Sequence, residues 1–209
     1  MKRHFSLSFV TSLLAIVCYL AFALLAFARY PLPYSPLSNW LSDLGNPNLN
    51  PQGALFYDIG IVATAVVLLP FFLGLSRWKM RNNRGQRLML LLTQGFGILG
   101  AFAMAMSGLL PMNFLALHSF FSACLYILLG TAFAFSVAAL RYYPAWPRWL
   151  LIVGALTALV DLLYGVFHTI YVFEWITVAL LLVYLGLLGA GTELCAPSVR
   201  HLAANETGL

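Results

Sequence analysis

Residues 53–75 read GALFYDIGIVATAVVLLPFFLGL, between Pro51 and the basic run that begins at Arg77. The stretch holds one acidic side chain, Asp58, about a turn from its start, and one proline, Pro70, near its end. As a helix it rises about 34 Å, enough to cross a hydrocarbon core of about 30 Å. Five more stretches of this kind lie near residues 5–28, 88–110, 114–140, 149–171 and 172–194. Together they predict an all-α polytopic membrane protein, a six-transmembrane-helix bundle forming one domain over residues 1–195. A polar tail over 196–209 follows it.

The composition agrees. The chain of 209 residues is 62% hydrophobic and only 8% charged, against roughly 25% charged residues in soluble domains. Its net charge of +5 is not a nucleic-acid footprint, because the basic residues sit in short loops at one face. Met1-Lys2-Arg3-His4, the apolar run behind it and Ala26-Phe27-Ala28 have the form of a signal peptide, but the run is too long for one and reads as the first span. Cys18, Cys124 and Cys195 are odd in number and lack metal-binding spacing, so free thiols are expected.

Orientation follows from the charges. Lys2, Arg3, Arg77, Lys79, Arg81, Arg84, Arg87, Arg141, Arg148 and Arg200 fall on one side of the spans, and Arg29 on the other. The positive-inside rule puts both termini in the cytoplasm and the 29–52 loop outside. The expected location is the plasma membrane of a prokaryote. The basic segment from Arg77 to Arg87 suits anionic head groups.

Polar groups inside lipid are costly and face a partner or a cavity. Asp58, His118, His168 and Glu174 fall at nearly one depth, about a turn inside the outer end of four different spans. Asp161 sits deeper, roughly 10 Å from His168 along their common helix. On that helix Thr157, Asp161, Tyr164, His168 and Tyr171 lie within about 80° of one another, a polar stripe running from mid-membrane to the surface. The stripe reads either as inward packing that bonds to neighbouring spans or as a water-lined path for protons. Ser122 stands one turn below His118. Gly130, Ala134 and Ala138, and likewise Gly97, Ala101 and Ala105, form small-residue ridges for close helix approach.

The loop above the belt holds Pro31, Pro33, Pro36, Pro47 and Pro51. Residues 35–45, SPLSNWLSDLG, read as a short interfacial helix. Ser35 would cap it, Pro36 suits its first position and Gly45 ends it. Leu37, Trp40, Leu41 and Leu44 would share an apolar face, leaving Ser38, Asn39, Ser42 and Asp43 on the other. Such a helix would lid the outer mouth of the bundle.

Three kinds of chemistry suit these residues. Asp58, His118 and His168 are a candidate zinc set, two imidazoles and a carboxylate leaving a position for water. Asp43, Asp58, His118, Asp161 and His168 are candidate catalytic groups for cleaving or remodelling a lipid. Ser35, Asn39, Trp40, Ser42, Tyr164, Tyr171 and Glu174 are candidate substrate contacts. The absence of a GxSxG elbow argues against an ordinary serine hydrolase. Haem between the two histidines is disfavoured, since no second matched pair lies deeper to carry electrons across. A transporter is disfavoured by the lack of an inverted repeat. The competing class is a non-enzymatic lipid-binding or helper protein whose polar belt locks the bundle. Membrane lipids are the expected partners, and the oligomeric state is open.

The segment Tyr34-Ser35-Pro36-Leu37-Ser38-Asn39-Trp40-Leu41-Ser42-Asp43-Leu44-Gly45, then Leu55-Phe56 and Gly60, resembles the opening signature of the membrane family called domain of unknown function 998. Pro111 followed by His118 is similar to that family's proline-then-histidine pattern. The resemblance implies six spans in a bacterial or archaeal protein, no established activity, and motif residues Ser35, Asn39, Ser42, Asp43 and His118. The chain departs from the pattern at Tyr57, where asparagine would be expected. A more distant similarity is to the alkaline ceramidase and adiponectin receptor superfamily of lipid hydrolases. That would imply zinc, but the last span has Glu174 and Thr177 in place of an HxxxH pair.

Overall fold

The computed structural model describes residues 5–143, 146–168 and 170–194. The tail expected over 196–209, Cys195, and Lys2, Arg3 and Arg200 lie outside the described residues. Every long element is a helix: α1 (Leu7–Phe27), α2 (Ala54–Gly74), α3 (Arg84–Leu109), α4 (Leu115–Leu140), α5 (Arg148–Phe167) and α6 (Tyr171–Leu194). All six are long and apolar enough to cross a membrane, and the chain is a multi-pass membrane protein. Each helix packs on the next, and α6 returns to α1, so the six close into a ring. One end carries the 29–53 loop, here the lid end. The other carries Arg77, Lys79, Arg81, Arg84, Arg87, Arg141 and Arg148, here the basic end.

Local chemistry sets the helix ends. Ser6 caps α1 by accepting the Phe9 N–H at 3.2 Å, and Asn83 caps α3 by accepting the Gln86 N–H at 2.8 Å. Side-chain oxygens here satisfy amides that a helix start leaves free. The Asn83 cap starts α3 four residues before the apolar stretch begins. The boundary between the last two spans also moves, because α5 ends at Phe167 with His168 as its left-handed cap, at φ 37° and ψ 44°. That turn breaks the polar stripe: Thr157, Asp161 and Tyr164 stay on one buried helical face, while Tyr171 begins the next helix and is exposed. A left-handed conformation costs a residue with a Cβ about 1–2 kcal/mol. His168→Gly should therefore be more stable than His168→Ala by about 1 kcal/mol, read by thermal unfolding in detergent. Equal stability would show that the turn is unstrained.

Between helices in lipid the attraction comes from close packing, so small residues set the crossings. Gly97 sits under the Phe72 ring, Gly130 against Asp161 and Leu162, and Gly154 against Tyr184. Tyr184 is fully buried; its ring packs edge-on to Phe133 and its hydroxyl lies 2.9 Å from the Ser136 hydroxyl. At the basic end Gln86 is fully buried; its amide donates to the Trp78 carbonyl and its carbonyl accepts the Met80 N–H.

Candidate functional site

The lid is not one continuous helix. Residues 36–38 form a turn, Trp40 is extended, and a 3₁₀ helix runs from Leu41 to Gly45. Asn39 interrupts it by accepting the Ser35 N–H at 3.1 Å and the Ser38 hydroxyl at 2.9 Å, a side-chain alternative to helical bonding. The chain restarts at Trp40, whose N–H donates to Asp43 Oδ2 at 3.0 Å. The predicted faces change accordingly. Leu37 is 79% exposed, whereas Leu41, Asp43 and Leu44 are all buried. Asp43 thus belongs to the inner face, and its burial raises its carboxyl above the usual range, against the lowering by the Trp40 N–H. Ser35 does cap a turn, accepting the Leu37 N–H at 3.2 Å.

Three groups on α6 latch this lid. Glu174 Oε2 accepts the Leu41 N–H at 2.7 Å and the Ser42 N–H at 3.4 Å, where the 3₁₀ helix leaves its first amides free. Trp175 Nε1 donates to the Asn39 carbonyl at 3.1 Å, and the Trp40 ring packs edge-on to Tyr171. Asn50, fully buried, ties the far end of the loop by donating to the carbonyls of Ala26 and Leu44.

Beneath the lid lies a narrow chamber with about 50 Å³ open to the centres of water molecules. A site of that size holds a few waters. Its polar lining includes Ser42 from the lid, Asp58 and Tyr57 from α2, His118, Ser122 and Tyr126 from α4, Glu174 from α6, and Tyr19 from α1. The Asp58 carboxyl lies against Gly45, where a Cβ would come within 2.6 Å of Oδ1, so the close approach requires glycine. The Tyr19 and Tyr57 hydroxyls are 3.4 Å apart.

His118 has the most informative geometry. Its Nδ1 lies 3.0 Å from the Ser107 carbonyl and 2.9 Å from the Leu110 carbonyl, at the end of α3. Both partners are acceptors, so Nδ1 carries the hydrogen and donates it. In the tautomer with the hydrogen on Nδ1, Nε2 is the acceptor nitrogen. Nδ1 thus completes the end of α3, and the ring lines the chamber.

The belt of matched depth therefore divides. Asp58, His118, Ser122, Glu174 and Ser42 share the chamber. Ser35, Asn39 and Asp43 are bonded within the lid, and Trp40 and Tyr171 pack on each other. Asp161, Tyr164 and His168 form a separate group along α5. Tyr164 meets the His168 ring at 4.8 Å and the Tyr126 ring edge-on at 4.7 Å. Both Asp161 oxygens and His168 Nε2 are buried without a hydrogen-bond partner, so no bonded relay runs from Asp161 to His168. The zinc set of Asp58, His118 and His168 is not assembled, since His168 packs against the Tyr164 ring while the other two line the chamber. Among the described residues no three His, Cys, Asp or Glu side chains are grouped to hold a metal ion.

Sequence reasoning passed over Tyr19, Tyr126 and Asn50, and marked Tyr57 only as a departure from the family pattern. The tyrosines left little signal, because an aromatic ring with a hydroxyl tip is at home in an apolar span. Asn50 had none, because its role depends on where α1 ends.

A family model described as "Protein of unknown function (DUF998)" matches residues 13–198. No curated protein and no solved structure matches the chain.

Proposed function

Because the chain belongs to the DUF998 family, whose description carries no activity, we propose a function from the chamber itself: it seats the polar group of a membrane lipid or other amphiphile, with His118 Nε2 as acceptor. The observation that carries this reading is the bonding of His118 Nδ1 to two carbonyls, which makes Nε2 the acceptor nitrogen of a ring that lines a polar chamber inside an apolar bundle. Where the ligand brings an ester or amide, the same atom would take the proton of an attacking water, the step a lipid hydrolase needs. The excess of arginine and lysine at the basic end supports a cytoplasmic basic end and a lid facing outward. Both termini would then be cytoplasmic, in a prokaryotic plasma membrane.

A structural reading has its own support: Glu174 is occupied in holding the lid, and the Nδ1 side of His118 completes α3. One substitution separates the two. The amide N–H of asparagine can replace Nδ1–H toward the two carbonyls, while nothing replaces Nε2. In native mass spectrometry of detergent-purified protein, His118→Asn should keep the wild-type melting temperature and lose retained lipid by roughly tenfold. Equal lipid retention in His118→Asn and wild type would make the belt a purely structural device.

A further inference from the structure

The chamber has a neighbour. A groove of about 430 Å³ lies between α1 and α6 under the lid, lined almost wholly by apolar groups. Its walls are Tyr19, Ala23, Leu24 and Phe27 on α1 and Trp175, Ala179 and Leu182 on α6. The size falls within the usual range for small-molecule sites. Tyr19, Val178 and Leu182 line both the groove and the chamber, so one layer of side chains separates the two.

The groove is closed at both ends and open at the side. Toward the basic end α1 and α6 are pinched together: the Ser6 N–H donates to Glu193 Oε1 at 2.5 Å, the Ser6 and Thr192 hydroxyls meet, and a Cβ on Gly189 would come within 2.7 Å of Ser12 Cβ. Toward the lid end the helices separate, and Tyr34, Pro36, Leu41 and Leu44 roof the gap. Leu24 is 64% and Phe27 48% exposed at its rim, facing where lipid lies around a six-span bundle. From Tyr19 to Phe27 the groove runs about 12 Å along the helix, close to the depth of one leaflet at about 15 Å.

We propose that this groove is an acyl-chain site: one chain of a lipid in the lid-side leaflet enters sideways between α1 and α6, with its polar end directed past Tyr19 into the chamber. The occupant follows from three features together. The lining is apolar, the opening is lateral at membrane depth, and the depth fits a chain from one leaflet. A water-soluble ligand would need an opening through the lid, which Glu174 and Trp175 hold shut. The direction of the polar end rests on the chamber reading above, and the groove itself does not.

The test is photo-cross-linking of the full chain in phosphatidylcholine vesicles, with a phosphatidylcholine carrying a diazirine on one acyl chain. Labelled sites are mapped by peptide mass spectrometry. Labelling of the groove wall around Ala179 should exceed that at Leu156, a lipid-facing residue of α5 that is 52% exposed. Ala179→Trp and Ala23→Trp fill the groove from opposite walls, and Ala179 is already exposed, so a folded variant is available. Each should lower groove labelling roughly tenfold relative to Leu156. Groove labelling no stronger than at Leu156, and unchanged in both variants, would overturn the proposal. His118→Asn separates the two readings. Groove labelling that survives it, with lipid retention also unchanged, leaves the acyl site standing and removes only the chamber's hold on the polar end.

Discussion

Glu174→Ala should free the lid. The substitution removes the acceptor of the Leu41 and Ser42 amides, which start a 3₁₀ helix inside the mouth of the bundle. Each hydrogen bond contributes about 0.5–1.5 kcal/mol, and a buried donor left unsatisfied costs about 1–3 kcal/mol. Lifting the lid into water relieves that second cost, so opening, rather than global unfolding, is the expected response. The expected loss is about 2–3 kcal/mol of lid stability. It would be read as rapid proteolysis within residues 29–53 and a lower melting temperature in detergent. Glu174→Gln keeps an oxygen at the same place and should fall between the two. A Glu174→Ala protein with wild-type protection of the loop would show that Trp175 and the Trp40–Tyr171 pair suffice as latches.

Asp161→Leu should stabilise the protein. Asp161 is fully buried on α5 against Gly130, and neither of its oxygens has a hydrogen-bond partner. A polar group taken from water without compensation costs about 1–3 kcal/mol on the scale of protein mutations. Leucine has the same branching at Cγ with methyl groups in place of oxygens, so it removes that cost and keeps the shape. A gain of about 1–3 kcal/mol is expected, measured as a higher melting temperature in detergent. A carboxyl kept where leucine would be more stable points to a role beyond packing. A marked loss of stability in Asp161→Leu would mean that Asp161 bonds to a group such as an internal water, and the reading of an unpartnered carboxyl would fail.

The two residues show why depth was only part of the answer. Glu174 and His118 were found by their place along a span, which one helix fixes through its 1.5 Å rise per residue. Their partners were not found, because Leu41 is 133 positions from Glu174 in the chain and nothing local couples them. His168 has matching depth, yet it packs against Tyr164 and stays out of the chamber. Azimuth around the bundle, as well as depth, decides which groups meet. The lid was legible as a short interfacial element from its prolines, serine and glycine. Its break at Asn39 was not, since the side chain that competes with the helix does so through a particular local geometry.

The sequence by itself determined the six spans, the segregation of basic residues to one end and the family signature. These depend on the cost of burying backbone and charge in lipid, which acts on each segment separately. Only the tertiary structure decided that α6 closes the ring on α1, that Glu174 holds the lid, and that His118 bonds the end of α3 through Nδ1 while its ring lines the chamber. Those outcomes depend on contacts between segments far apart in the chain, where small residues and single hydrogen bonds select one packing among many of similar apolar character.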